Sequence, residues 1–293
     1  MVTVVYHEVS DKPSKFHLEN NLSVTKQNFY NQLIFLKNNF NIISPLDLIS
    51  NNFETPATLI TFDDGAKGFF NNARTILEEL KIPCVHFLNM EPIIGGLNIN
   101  GLVSYLLDVD KRIFDFFNTE RISTKNITYK QIITFLDNFN KSLIINKARE
   151  YHGPWASLED LIECNKSDLV FFGNHLFNHY NCLNLKKNEL IFQFNENKKH
   201  LDKLKNSLNF FSYPYGQPGL FYNDTSNSIL KELGVRYIFS AYPINYNFNN
   251  SIFHRLPIHE YVQTSNIFKK HISIAKLKGF IKKSYSKKYK FYN

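Results

Sequence analysis

Short apolar runs alternate along the chain with stretches of helical periodicity. "VTVVYH" (2–7), "ATLITF" (57–62), "CVHFLN" (84–89) and "DLVFFG" (168–173) read as buried strands. "NFFSY" (209–213), "VRYIFS" (235–240) and "IFHRLPIH" (252–259) continue the series. Between them, residues 25–40 place Phe29, Leu33 and Leu36 near helical spacing, with Thr25 as the N-cap. Helices are also predicted over 69–81, 157–164, around 186–205 and over 225–234. Repeated βα units with short connections predict a parallel α/β architecture, either an open sheet or a barrel.

Residues 97–150 break this rhythm. They are rich in Asn, Lys and Phe, carry helical stretches such as 101–117, and show no clear strand. They read as a mostly helical insertion between core elements rather than a separate enzyme domain. The body then runs to about residue 262, and a lysine-rich tail occupies 263–293.

The formal net charge of +8 belongs to that tail. No acidic residue follows Glu260, yet nine lysines lie between Lys269 and Lys290. The other 25 of the 34 basic residues meet all 26 acids, so the body stands near −1. A nucleic-acid partner needs basic residues spread over a face, and the body argues against one. The tail alternates apolar and Lys residues, which makes it a candidate for peripheral contact with an anionic membrane; a solvated tail or a helix packed on the body are the alternatives. Three cysteines without C-x-x-C spacing give no disulfide framework. The opening "MVTVVYHEVS" has no basic region followed by an apolar stretch, so a cytoplasmic location is expected, with any membrane contact at the inner face.

The unusual polar residues fall at the C-terminal ends of the predicted strands, the end where parallel α/β folds gather their chemistry. Asp63 and Asp64 follow one strand, and Asn174, His175 and His179 follow another. "PYGQPG" (214–219) follows a third, and His259 ends the last. Two histidines four residues apart would share one face of a helical turn and could share a metal ion; a polar loop facing water is the alternative. Cys182 is a weaker candidate ligand, a buried apolar role being the usual one for a lone cysteine. A carboxylate would complete a two-histidine, one-carboxylate set that leaves a position open for water. The second Asp could then act as general base, and the ion would relieve the repulsion between the two carboxylates. Otherwise one Asp caps the following helix and the other pairs with a lysine. The turn at Pro214–Gly216 can aim a backbone N–H at a developing oxyanion, or can be only a turn. His259 is a candidate proton donor, since imidazole titrates near neutrality.

"LITFDDG", "GNHLFNH" and "FFSYPYG" together resemble the successive motifs of the polysaccharide deacetylase family, the NodB-like enzymes of carbohydrate esterase family 4. "VVYHEV", "IPCVHFLN" and "HRLPIHE" are supporting matches, and the set spans most of residues 2–260. The resemblance implies a distorted (β/α) barrel with fewer than eight strands over 1–262, carrying the helical insertion. It implies a divalent metal, usually zinc, and hydrolysis of an N-acetyl or related N-acyl group from an amino sugar. Carried over, Asp63 would be the catalytic base, and Asp64, His175 and His179 the metal ligands. The Tyr215 N–H would sit in the oxyanion hole, and His259 would be the general acid.

Three departures stand out. Leu176 occupies a place often held by Ser or Thr, and Ser212 one often held by Arg, for which Arg255 is a candidate substitute. No Asp-x-x-Asp-Trp motif is evident. A catalytically silent carbohydrate-binding protein on the same barrel is therefore the rival reading. Trp155, Tyr213 and Tyr215 are candidates for stacking on sugar rings. With no export signal evident, a nucleotide- or lipid-linked amino-sugar precursor of a surface polysaccharide is the expected substrate.

Overall fold

The computed structural model describes residues 1–113, 129–242 and 252–289. Strands β1 (Val2–Tyr6), β2 (Glu8–Val9), β3 (Ser23–Val24), β4 (Asn41–Ile42) and β5 (Ala57–Asp64) come first. They are followed by β6 (Cys84–Leu88), β7 (Val170–Asn174), β8 (Ser207–Ser212), β9 (Tyr237–Ser240) and β10 (Ile252–Pro257). Seven of these close a parallel ring in the order β1-β10-β9-β8-β7-β6-β5, and β5 pairs back to β1. The register sets Val4 beside Ile60 on one side and Leu256 on the other. β4 lies outside the ring on β5, while β2 and β3 form a separate small ladder. The fold is thus a distorted (β/α) barrel with fewer than eight strands in its closed ring.

Strands buried on both faces need apolar residues at nearly every position, which is why the strand runs are continuous. One face of the alternation fills the barrel: Leu59, Val85, Phe87, Phe210, Phe239 and Phe253 form a single cluster. The other face, including Val4, Ile60, Phe62 and Cys84, packs beneath the surrounding helices. The helix Lys26–Asn39 buries Phe29, Leu33 and Leu36 there, and Thr25 caps it by accepting from the Asn28 N–H. Along β5 the inward residues run Ala57, Leu59, Thr61, Asp63, so the interior turns polar at its C-terminal end.

Some elements differ from the sequence reading. The helix expected over 69–81 opens as a π-helical turn, Phe69–Ala73, before Arg74–Leu80. The stretch expected over 101–117 is Ile99–Tyr105 followed by a π turn, Leu106–Asp110, and residues 114–117 lie outside the described part. β10 stops at Pro257, so His259 sits in the following loop. The insertion carries helices and no strand among its described residues, and it packs on the barrel with Phe16, Leu176, Phe211 and Tyr213. The tail forms the helix Ser265–Tyr289, which docks through Phe268, Ile272 and Ala275; the Phe268 ring stacks on Phe35 at 4.5 Å. No helix among the described residues is long and apolar enough to cross a membrane.

Candidate active site and metal centre

β5 delivers both aspartates to the C-terminal mouth of the barrel. Adjacent strand residues face opposite sides, and Asp63 joins the inward set. Asp64 ends the strand with φ +76°, followed by Gly65 at φ +118°, so the chain swings away at once. Both side chains are buried, with 2% exposure each.

His175 follows β7. Its Nδ1 lies 2.7 Å from the Ser212 carbonyl, so Nδ1–H donates there and the Nε2 lone pair faces the aspartates. His175 Nε2 is 3.3 Å from Asp64 Oδ1, and His179 Nε2 is 3.5 Å from the same oxygen. The two rings meet edge to face at 5.0 Å. The histidines do not share a helical turn, as the sequence suggested. They sit on a loop in which Leu176 takes φ +66°, and buried amides hold that loop. Asn89 donates to the carbonyls of His175 and Leu176, and Asn174 accepts from the Leu176 N–H. Asn178 donates to Glu91 and to the Leu97 carbonyl, and Asn197 donates to Asn174. Leu176 itself is buried in the apolar cluster under the insertion, so these amides hold the loop where family members often use a hydroxyl.

Asp64 Oδ1 is buried without a hydrogen-bond partner, between two imidazole nitrogens. That is a donor set that could hold a cation. Ligand atoms about 2.0–2.1 Å from a tetrahedral zinc lie roughly 3.3–3.4 Å apart, close to the observed separations. Asp64, His175 and His179 form the one such cluster among the described residues, with all ligand atoms within 4.8 Å. Cys182 is excluded from it: the thiol is buried in the apolar cluster, and burial pushes its pKa up.

Asp63 has a different partner. Arg255, on β10 and fully buried, grips it with Nη1–Oδ1 at 2.7 Å and Nη2–Oδ2 at 2.6 Å. The guanidinium also donates to Thr61 Oγ1, Ser212 Oγ and the Ser240 carbonyl, so its five N–H groups make five bonds. Its plane lies near the Phe87 ring, 5.3 Å from the centroid. Burial pushes the Asp63 carboxyl toward the neutral form, but the Arg255 charge and its hydrogen bonds oppose this, and the pKa lies below the ordinary value. Ser212 occupies the position where family members often carry Arg, and Arg255 reaches the same carboxylate from another strand.

Tyr215 has φ +60°, and its N–H makes no hydrogen bond among the described residues. Its ring packs edge-on against His179 at 4.5 Å, and its hydroxyl donates to Asn100 Oδ1 at 3.4 Å. Gly216 must lack a side chain, because a Cβ would come within 2.0 Å of the Ala241 nitrogen. Asp64, Leu176 and Tyr215 are three of the seven described non-glycine residues with positive φ, and all three sit here. Sparsely populated backbone conformations of this kind gather where geometry is over-determined.

A cleft of about 440 Å³ opens above these groups. His259 lines it, and its Nδ1 lies 2.9 Å from the Asn21 carbonyl, so Nδ1–H donates and Nε2 is left for the cleft. Burial lowers the His259 pKa, with the Asn21 bond opposing. Sequence reasoning missed His7, which follows β1 and also lines the cleft; its place at a strand end was the available signal. Two expected stacking residues are elsewhere. Tyr213 is fully buried and stacked on Tyr222 at 3.9 Å, and Trp155 stacks on His152 at 4.8 Å outside this cleft.

The family model described as polysaccharide deacetylase matches residues 103–238, a span holding His175, His179 and Tyr215. Over that span the chain is similar to the polysaccharide deacetylases. The chain gives no match among curated protein sequences. Among solved structures it is similar to the Streptococcus pyogenes deacetylase PplD in complex with acetate, at 17% identity and TM-score 0.61. That match covers 93% of this chain and 97% of the other. IcaB from Ammonifex degensii is similar at 18% identity and TM-score 0.59, covering 91% and 95%. A de-N-acetylase from Aggregatibacter actinomycetemcomitans follows at 17% identity and TM-score 0.57, covering 92% and 98%. At these identities the likeness is one of fold.

Proposed function

We propose that this protein is a metal-dependent hydrolase that removes an N-acetyl or related N-acyl group from an amino sugar. The observation that carries the reading is Asp64 Oδ1 lying 3.3 and 3.5 Å from the two Nε2 atoms, with Asp63 next to it in sequence and separately held. Asp64, His175 and His179 would hold a divalent ion, with zinc the best match to the donor set. When bound, such an ion lowers the pKa of a water and polarises an acyl oxygen.

The chain's own residues divide the remaining work. Asp63, kept anionic and oriented by Arg255, takes the proton of the attacking water. The free Tyr215 N–H receives the developing oxyanion. His259, protonated at Nε2 as well as Nδ1, delivers its Nε2 proton to the nitrogen as the C–N bond breaks and is left neutral, with a carboxylate and a free amine released.

The rival reading of a silent carbohydrate-binding barrel rested on the missing Arg and the weakened acid motif; Arg255 at Asp63 supplies an answer to the first of these. A phosphate-bearing carrier, whether nucleotide or lipid, is less favoured by the site: no Lys or Arg lines the cleft among the described residues. Such a phosphate would have to lie outside it. A cytoplasmic, membrane-peripheral setting is proposed from the tail helix, where Ile267, Ile274 and Leu277 are exposed among lysines.

The test is acyl release from N-acetylglucosamine oligosaccharides by the purified full chain, after chelation and after zinc reloading. Release that survives complete metal removal would contradict the proposal.

A further inference from the structure

The helix Ile99–Tyr105 belongs to the insertion, and all seven of its residues are buried. Two of them are polar and line the cleft: Asn100, 8% exposed, and Ser104, 5% exposed. Asp108 in the following π turn lines it too, so residues 100, 104 and 108 make one polar ridge. A serine inside a helix usually returns its hydroxyl to the carbonyl four residues back. Ser50 and Ser228 do so, at 2.9 and 3.0 Å. Ser104 Oγ makes no hydrogen bond among the described residues. Asn100 is engaged only through Oδ1, which accepts from Tyr215. A hydroxyl without a protein partner that opens on a cavity is placed for a partner that enters that cavity.

The ridge also has a charge. Tyr151 donates from one hydroxyl to Glu19 at 2.8 Å and to Asp108 at 3.4 Å, which brings a second carboxylate close to Asp108. With no Lys or Arg lining the cleft among the described residues, a phosphate here would meet only repulsion from this wall.

Resting on the deacetylase reading, we infer that the insertion is the specificity element of the cleft: Ser104 and Asp108 receive the hydroxyls of an uncharged amino-sugar oligosaccharide and turn away phosphate-bearing sugars. Asn100 positions Tyr215 on the same wall.

Two probes test this with the zinc-loaded full chain: the N-acetylglucosamine tetramer and UDP-N-acetylglucosamine. Wild type is expected to show the higher kcat/KM on the tetramer. Ser104→Ala should raise KM for the tetramer about threefold to tenfold, acting on KM more than on kcat. Asp108→Lys, at an exposed position, should shift the kcat/KM ratio toward the UDP sugar by about tenfold or more. An unchanged ratio in Asp108→Lys, or a wild-type preference for the UDP sugar, overturns this inference alone. Wild type that binds zinc yet turns over neither probe overturns the deacetylase reading as well.

Discussion

Arg255 and Asp63 stand 192 residues apart and meet in a two-pronged ion pair at 2.6 and 2.7 Å, sealed from solvent under the cleft. The pairing explains how a buried carboxylate stays ionised beside another carboxylate. It also ties β10 to β5 across the barrel end, with Thr61, Ser212 and the Ser240 carbonyl completing the guanidinium's bonds.

Arg255→Lys keeps the charge but loses the fork that grips both oxygens. Turnover should fall by about tenfold or more, since a misaligned base loses much of its contribution. Arg255→Ala should cost about 3–5 kcal/mol of stability, because it leaves Asp63 buried and unpaired. Steady-state kinetics and denaturant melts read the two effects. A lysine variant with wild-type kcat would show that the grip does not serve catalysis.

Asp63→Asn removes the base while sparing the three ligands. Turnover should drop by about 10²- to 10⁴-fold, with bound metal retained. Loss of metal alongside activity would instead make Asp63 a ligand.

His86 gives a pH prediction. It is fully buried against Phe69 at 4.1 Å, and burial lowers its pKa to about 3. A histidine whose folded pKa lies below its unfolded value takes up protons on unfolding. Its contribution is whole above about pH 6.5 and declines as pH falls toward the folded value, by at most about 1.4 kcal/mol per pH unit. The slope of stability between pH 6.5 and 4 should be shallower in His86→Leu than in wild type. Equal slopes in urea titrations would place the proton uptake elsewhere.

The tail helix presents Ile267, Ile274 and Leu277 to solvent among lysines. A chain ending at residue 264 should bind vesicles of mixed phosphatidylglycerol and phosphatidylcholine less well than the full chain, and the difference should shrink with salt. Equal sedimentation with vesicles would remove the membrane proposal.

Much of this arrangement was legible in the sequence, because parallel strands put their chemistry at one end and the motifs sit where strands stop. Asp63, Asp64, His175 and His179 are local signals of that kind. Ring closure was not legible, since an open sheet and a barrel share the same βα alternation. The helical turn expected for the histidines failed because Leu176 is left-handed and buried amides dictate the loop. Arg255 could be offered only as a candidate, since its partner lies across the barrel. Tyr213 and Trp155 show that an aromatic residue does not announce whether it faces a core or a cleft. Ser104 and Asn100 gave no signal because their polarity has meaning only once the insertion is folded against the barrel.

The central claim is that Asp64, His175 and His179 form one metal site that the chemistry requires. Metal content by mass spectrometry, read together with acetate release, tests it on wild type and on the separate Asp64→Ala and His179→Ala variants. The account predicts about one zinc per wild-type chain, with both metal and activity lost in each variant that remains folded. Folded variants that keep full metal content, or acetate release that persists without metal, would contradict it.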